Sequence, residues 1–178
     1  KEFSIKRIQK SGAVFDSGKL EWVNSQYFVN MDLDTFAKMA RSYYIEHGLD
    51  ISDEQKYLLV VDNARRRVNA LSEMPKESQM FYKDPYISKV SMALVGDETS
   101  QKLLKEIHTS LTREADCDSG QFKDIVMGVG TSLGVKGKDL FCPVRIALYG
   151  DSIGPDIPHI FSILGRKETL RRISQVIK

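Results

Sequence analysis

The sequence predicts an all-α fold of two consecutive helical bundles. Apolar residues recur every three to four positions in successive segments, as on one face of an α-helix, whereas the alternating pattern of strands is rare. Helix-capping Ser and Asp precede several segments, and Gly follows some of them. We expect a connector over 1–16, a first bundle over 17–90 and a second bundle over 91–178. A single larger α domain is the alternative.

Three main helices are predicted in the first bundle. Ser17 can cap the first helix. Asp32 or Asp34 can cap the second, and Gly48 can end it. Ser52-Asp-Glu-Gln55 has the spacing of a capping box and opens a long third helix. The apolar faces are Leu20, Trp22, Val23, Tyr27 and Phe28; then Phe36, Met39, Ala40 and Tyr43; then Tyr57, Val60, Val61, Ala64, Val68 and Leu71.

The second bundle is predicted after a turn at Asp84-Pro85, with the boundary somewhere in 83–97. Two amphipathic helices follow, separated by an acidic loop over 114–120, and the second ends at Gly134. A further helix contains Pro143, which either begins it or bends it. The apolar faces are Leu103, Leu104, Ile107 and Leu111; then Phe122, Ile125, Val126, Val129 and Leu133; then Leu140, Phe141, Val144, Ala147 and Leu148.

Composition argues against several classes of protein. A hydrophobic fraction of 42% and a charged fraction of 28% are typical of a folded domain, and a net charge of +2 is too small to indicate nucleic-acid binding by itself. The two cysteines and three histidines are scattered, which favours a reduced setting and predicts no metal site. We find no membrane span, signal peptide or catalytic motif, so no catalytic residue is predicted. The initial Lys fits an excised domain.

Three consecutive arginines lie within the predicted third helix. On a helical wheel, Arg66 points away from the core, whereas Arg65 and Arg67 lie at the two borders of the apolar face. A border arginine keeps its guanidinium partly sheltered, which suits bidentate recognition of a base edge or phosphate. The alternative is that all three are solvated charges near the helix C-terminus.

Arg145 occupies a similar border position on the helix that contains Pro143. The segment 151–158 follows, stiffened by two prolines. Ile157 or Ile153 there offers an apolar surface to an unstacked base, which is how single-stranded RNA is commonly bound. A plain turn between helices is the alternative.

Four cations flank the apolar face of the last predicted helix: Arg166, Lys167, Arg171 and Arg172. They are either phosphate contacts or a solvated helix face. Trp22, Tyr27, Tyr43 and Tyr44 occur at helical spacing, and we expect them in the core.

Residues 3–16, 19–27, 143–150 and 165–172 form four segments whose order and spacing together resemble the C-terminal part of bacterial-type glutamyl-tRNA synthetases. Residues 3–16 resemble the connector after the catalytic body of that family. Residues 19–27 are similar to its K-L-x-W-x-N-x-x-Y stretch. Residues 143–150 read P-x-R-x-A-L-x-G, and residues 165–172 read G-x-x-x-x-L-R-R. The order and spacing of the four together are highly specific.

The resemblance implies an α-helical cage of two subdomains that binds the anticodon loop of glutamate tRNA. By position, Arg67 corresponds to an arginine that discriminates the first anticodon base and is associated with preferring glutamate over glutamine tRNA. Arg145 corresponds to an arginine that contacts anticodon bases. Gly154, Pro155 and Ile157 correspond to the loop contacts, although some relatives have threonine at the place of Gly154. Weaker backbone contacts are expected from Arg65, Arg166, Lys167, Arg171 and Arg172.

The resemblance also implies a cytoplasmic, monomeric protein that binds neither DNA nor membrane. The HIGH-like and KMSKS-like signatures of the family are absent, so ATP and Mg²⁺ belong to the full-length enzyme and no cofactor is expected in this segment. Two alternatives remain: an α-helical protein-interaction module without enzymatic activity, and a small helical enzyme with an unrecognised site.

Overall fold

The computed structural model describes residues 16–178, so all but the last residue of the predicted connector lies outside the described residues. Within that range the chain forms nine α-helices and no strand, which confirms the all-α fold class. The helices are α1 Ser17–Asn30, α2 Leu33–Glu46, α3 Glu54–Ala64, α4 Met74–Ser78, α5 Lys89–Val95, α6 Glu98–Arg113, α7 Ser119–Leu133, α8 Lys138–Tyr149 and α9 Ile157–Val176. No helix of the described part has the length and apolar character that crossing a membrane requires.

Aspartate side chains cap the first three helices. Asp16, rather than the predicted Ser17, accepts a hydrogen bond from a backbone amide in the first turn of α1. Asp32 caps α2, and Asp53 caps α3 one residue later than the predicted capping box. Each carboxylate satisfies one of the amides that a helix start leaves without a partner.

Helix α3 is shorter than the sequence predicts. It ends at Ala64, and Arg65–Arg67 form a turn instead of continuing the helix to Leu71. The Arg65 guanidinium bonds the carbonyls at the junction of α1 and α2, at 2.8 Å from Met31 O. The relative exposure of the three side chains still follows the helical wheel, since Arg66 is 59% exposed whereas Arg65 and Arg67 are 10% and 28% exposed.

The second bundle follows the predicted apolar faces closely. Helix α7 ends at Gly134 in the left-handed conformation, with φ 68°. Helix α8 contains Pro143 and ends at Gly150, where a Cβ would lie 2.9 Å from both Pro85 Cβ and Tyr86 O. Gly165 has φ 71° and ψ 169°, so α9 consists of two helical segments that meet at this residue.

The two predicted bundles touch through α9, which packs against α3 as well as against α8. Arg172 on α9 is 2% exposed and donates to Leu148 O at 2.6 Å and to Lys83 O at 3.2 Å. Its neighbour Arg171 forms ion pairs with Asp84 and Glu168. The division into two bundles at residue 90 stays a prediction. The contacts of Arg171 and Arg172 bind α9 to Lys83 and Asp84, which lie just before that division.

Two of the aromatic residues expected in the core are on the surface. Tyr44 is fully buried, whereas Trp22 is 62% exposed and Tyr27 is 67% exposed. Helical spacing alone misled here, because α1 presents these rings on a face that no other described element covers.

The ion pairs of α9 predict a pH-dependent stability. The guanidinium of Arg171, and then that of Arg172, holds the pKa of Glu168 at about 2, below its ordinary value of 4.5. Because the folded pKa is the lower one, Glu168 stabilises the fold above about pH 4.5, and this stabilisation is lost as the pH falls towards about 2. We expect Glu168→Gln to be less stable at pH 7 and to show a shallower acid dependence of the urea midpoint. Equal dependence in both proteins would contradict the assignment.

Candidate nucleic-acid interface

A groove of about 240 Å³ lies between the turn after α3 and the α8–α9 loop, residues 151–156. Arg66 and Arg67 line it from the turn, and Gly154, Pro155 and Asp156 line it from the loop. Asp156 also lines a second cavity of about 280 Å³, which contains Arg145. The two cavities meet at Asp156, so the same loop adjoins both predicted base-reading arginines.

Two hydrogen bonds fix the Arg67 side chain at the wall of the groove. Its Nε donates to Glu77 Oε1 at 2.6 Å, and its Nη2 donates to Asn63 Oδ1 at 2.5 Å. The side chain is 28% exposed. A guanidinium has five N–H donors, so three remain for a ligand in the groove.

Arg145 holds the α8–α9 loop through two backbone carbonyls. Its Nε donates to Pro155 O at 3.1 Å, and its Nη1 donates to Ser152 O at 2.8 Å. These bonds span the loop and fix its backbone, while three donors of the guanidinium stay available. Arg145 therefore shapes the loop as well as lining the cavity beside it.

The loop residues predicted from the resemblance are not equally accessible. Gly154 is exposed, and a Cβ there would lie 2.7 Å from Tyr149 Cε1, so the backbone rests directly on the Tyr149 ring. Pro155 is buried, and Ile157 is only 3% exposed because it packs into the hydrophobic core. Ile153, at 82% exposure, is the apolar side chain that the loop presents to solvent.

Several cations expected at phosphates have structural partners instead. Arg65 and Arg172 are buried, and their guanidinium groups bond backbone carbonyls and carboxylates, so the expectation that they contact phosphate is corrected. Arg166 donates to Leu111 O at 3.2 Å and Thr112 O at 2.9 Å, at the C-terminal end of α6. Arg171 is held by its two carboxylates. Lys167 is exposed to solvent.

Sequence reasoning missed five residues that line the groove or fix Arg67. Asn63 and Glu77 orient Arg67, and His159 lines the groove together with Arg66. The spacing of four residues between Asn63 and Arg67 was the signal that the sequence offered for Asn63. Asp156 brings a negative charge to the groove, where Arg66 and Asp62 also lie, so its walls carry both signs of charge. Directed hydrogen bonds, more than net charge, are what this arrangement offers a ligand.

Within residues 16–178, no group of three or more His, Cys, Asp or Glu side chains is placed to hold a metal ion. We assign no step through Mg²⁺ or ATP to the described residues.

Comparison with curated proteins finds long matches to one kind of enzyme. A glutamate–tRNA ligase of Natranaerobius thermophilus is 33% identical over 183 residues, which covers 98% of this chain and 37% of that protein. A glutamate–tRNA ligase of Bacillus cytotoxicus is 30% identical and is covered to 38%. The chain spans little more than a third of the length of these curated relatives.

Solved structures share the fold. A crystal structure of a glutamate tRNA ligase from Elizabethkingia meningosepticum, in complex with its amino acid, superposes with a TM-score of 0.87 at 22% identity, covering 98% of this chain and 35% of that one. A glutamate-tRNA synthetase from Elizabethkingia anophelis gives 0.83 over 99% of this chain and 34% of that one, also at 22% identity. The model of the family described as the anticodon binding domain matches residues 35–177, and because this match covers most of the chain, the chain belongs to that family.

Proposed function

We propose that this chain binds the anticodon loop of glutamate tRNA as the C-terminal part of a glutamate–tRNA ligase, the enzyme that attaches glutamate to its tRNA with ATP. Family membership and the length of the matches to glutamate–tRNA ligases support the proposal. One geometric observation carries it: two partly buried arginines, each oriented by two hydrogen bonds, adjoin one exposed loop.

Arg67 and Arg145 are the proposed base-reading residues. Each keeps three N–H donors beyond those used in its own support, and donors in a fixed plane match the acceptor pattern of one base edge better than another. In this proposal Arg145 has a second role, since its bonds to Ser152 O and Pro155 O hold the loop that the RNA meets.

The proposed apolar contact is Ile153, which is exposed, while Gly154 gives the RNA close access to the backbone. Pro155 and Ile157 are buried and support the loop without contacting the RNA in this proposal. Arg66 and Lys167, which are exposed, are the proposed phosphate contacts; such contacts give affinity and position but no sequence information.

The remainder of the parent protein supplies catalysis in this proposal, including the sites for ATP and Mg²⁺. The chain works as a monomer in the cytoplasm, and its part in the reaction is to hold the tRNA so that the acceptor end reaches a catalytic site elsewhere.

Binding of a labelled RNA hairpin that carries the glutamate anticodon tests the proposal. Phosphate contacts release counterions, so we expect the logarithm of the association constant to fall linearly with the logarithm of salt concentration, with a slope of about −0.7 per contacted phosphate. Fluorescence anisotropy between about 50 and 200 mM salt measures the slope.

The matched control is a hairpin with the same stem and a scrambled loop. We expect it to bind more weakly at every salt concentration, because base contacts are lost while phosphate contacts remain. Equal affinity for the two hairpins, or no salt-dependent binding at all, would contradict the proposed function and would favour a protein-interaction module.

A further inference from the structure

A chain of hydrogen bonds links α8 to the groove. Tyr149, at the end of α8, donates from its hydroxyl to Glu77 Oε1 at 3.2 Å. The same carboxylate oxygen accepts from Arg67 Nε at 2.6 Å, and Arg67 Nη2 reaches Asn63 Oδ1 at 2.5 Å. Helices α3, α4 and α8 each contribute one residue to this support of a single guanidinium.

The Tyr149 ring is itself firmly placed. It is 5% exposed and packs against Phe81, with the ring centroids 5.7 Å apart. Its edge lies under Gly154, where there is no space for a Cβ. One ring therefore supports the α8–α9 loop and, through Glu77, the Arg67 side chain.

Protonation fixes the direction of these bonds. Burial, and then the charge of Glu77, raises the pKa of Tyr149 to about 12. The hydroxyl therefore keeps its proton at neutral pH and donates, while the carboxylate of Glu77 accepts from both neighbours.

We propose that Glu77 and Tyr149 are positioning residues that set the base preference of Arg67. The inference rests on the proposed function, in which Arg67 reads a base. Two anchored N–H groups fix the plane of the guanidinium and hence the direction of its other three donors. Without these hydrogen bonds the Arg67 guanidinium remains in the groove as a positive charge. Its N–H donors then have no fixed direction and no longer favour one base edge.

The test measures a preference ratio: the dissociation constant of a hairpin with one substituted anticodon base, divided by that of the glutamate hairpin. Each anticodon position is substituted in turn, and the full chain is used at one salt concentration. We expect Glu77→Ala to lower the ratio at one position about tenfold, as loss of one hydrogen bond to a charged group allows, with the salt slope unchanged. Tyr149→Phe, which keeps the ring, is expected to lower it about twofold.

Two further variants separate positioning from folding. Glu77→Gln keeps an acceptor for Arg67 Nε and should restore most of the ratio. In an Arg67→Gln background, Glu77→Ala should change the ratio no further, because the two residues act through one guanidinium. Urea unfolding shows whether each variant is fully folded at the temperature of the binding assay. A variant that is not is compared with the wild type at a lower temperature, at which both are folded.

The outcomes separate the two proposals. A wild-type chain without base preference would overturn the proposed function and this inference with it. If the wild-type chain shows a base preference and Glu77→Ala keeps the same preference ratio, the inference alone is overturned. The same holds if Glu77→Ala weakens the affinity for all hairpins by the same factor.

Discussion

Replacing Arg67 by glutamine is expected to remove base preference at one anticodon position and to leave the fold nearly intact. A bidentate arginine–base contact is worth about 1–3 kcal/mol in duplex recognition, which corresponds to a change of about 5- to 150-fold in relative affinity. Glutamine keeps a donor for Glu77 but lacks the planar fork, so the stability should change little. Competition binding between the glutamate hairpin and its single-base variants measures the effect.

The neighbouring arginine is the matched control for this substitution. Arg66 is exposed and pairs with Asp62 only at 3.5 Å, so we propose that it contacts phosphate. Arg66→Gln should weaken all hairpins alike and reduce the salt slope by about 0.7, without altering base preference. If Arg67→Gln behaves in the same way as Arg66→Gln, Arg67 does not read a base.

Replacing Arg172 by methionine is expected to destabilise the fold by about 3 kcal/mol without changing the salt dependence of RNA binding. The substitution keeps much of the side-chain volume but removes the donor of Lys83 O, which is part-buried, and of Leu148 O, which is buried; a buried acceptor without a partner costs about 1–3 kcal/mol. Urea unfolding should show a lower midpoint with the same m-value.

Arg171→Met is the control on the same helix. Arg171 is 42% exposed, and surface ion pairs contribute about 0–1 kcal/mol, so its loss should shift the urea midpoint much less. A larger shift of the urea midpoint in Arg171→Met than in Arg172→Met would show that the buried Arg172 guanidinium does not hold α9 in place. A lower salt slope in Arg172→Met would restore the phosphate role that its burial argues against.

The candidate site was predictable from the sequence only in part. Resemblance to the family pointed to Arg67 and Arg145, and the structure places both beside one loop. The sequence did not distinguish Ile153 from Ile157, because both lie in the same short segment and their exposure depends on how α9 begins. Nor did it indicate Glu77, which is ten residues from Arg67 along the chain.

What the sequence determined by itself was the longer helices, although not the short α4 and α5. Helix signals act within a few residues of each other along the chain. The apolar period and an aspartate cap therefore mark both α6 and α7, and a terminal glycine also marks the end of α7. Only the tertiary structure decided what each arginine does. Arg65 and Arg172 bond carbonyls 34 and 89 positions away, whereas Arg66 faces solvent, and a run of charges carries no information about such distant acceptors.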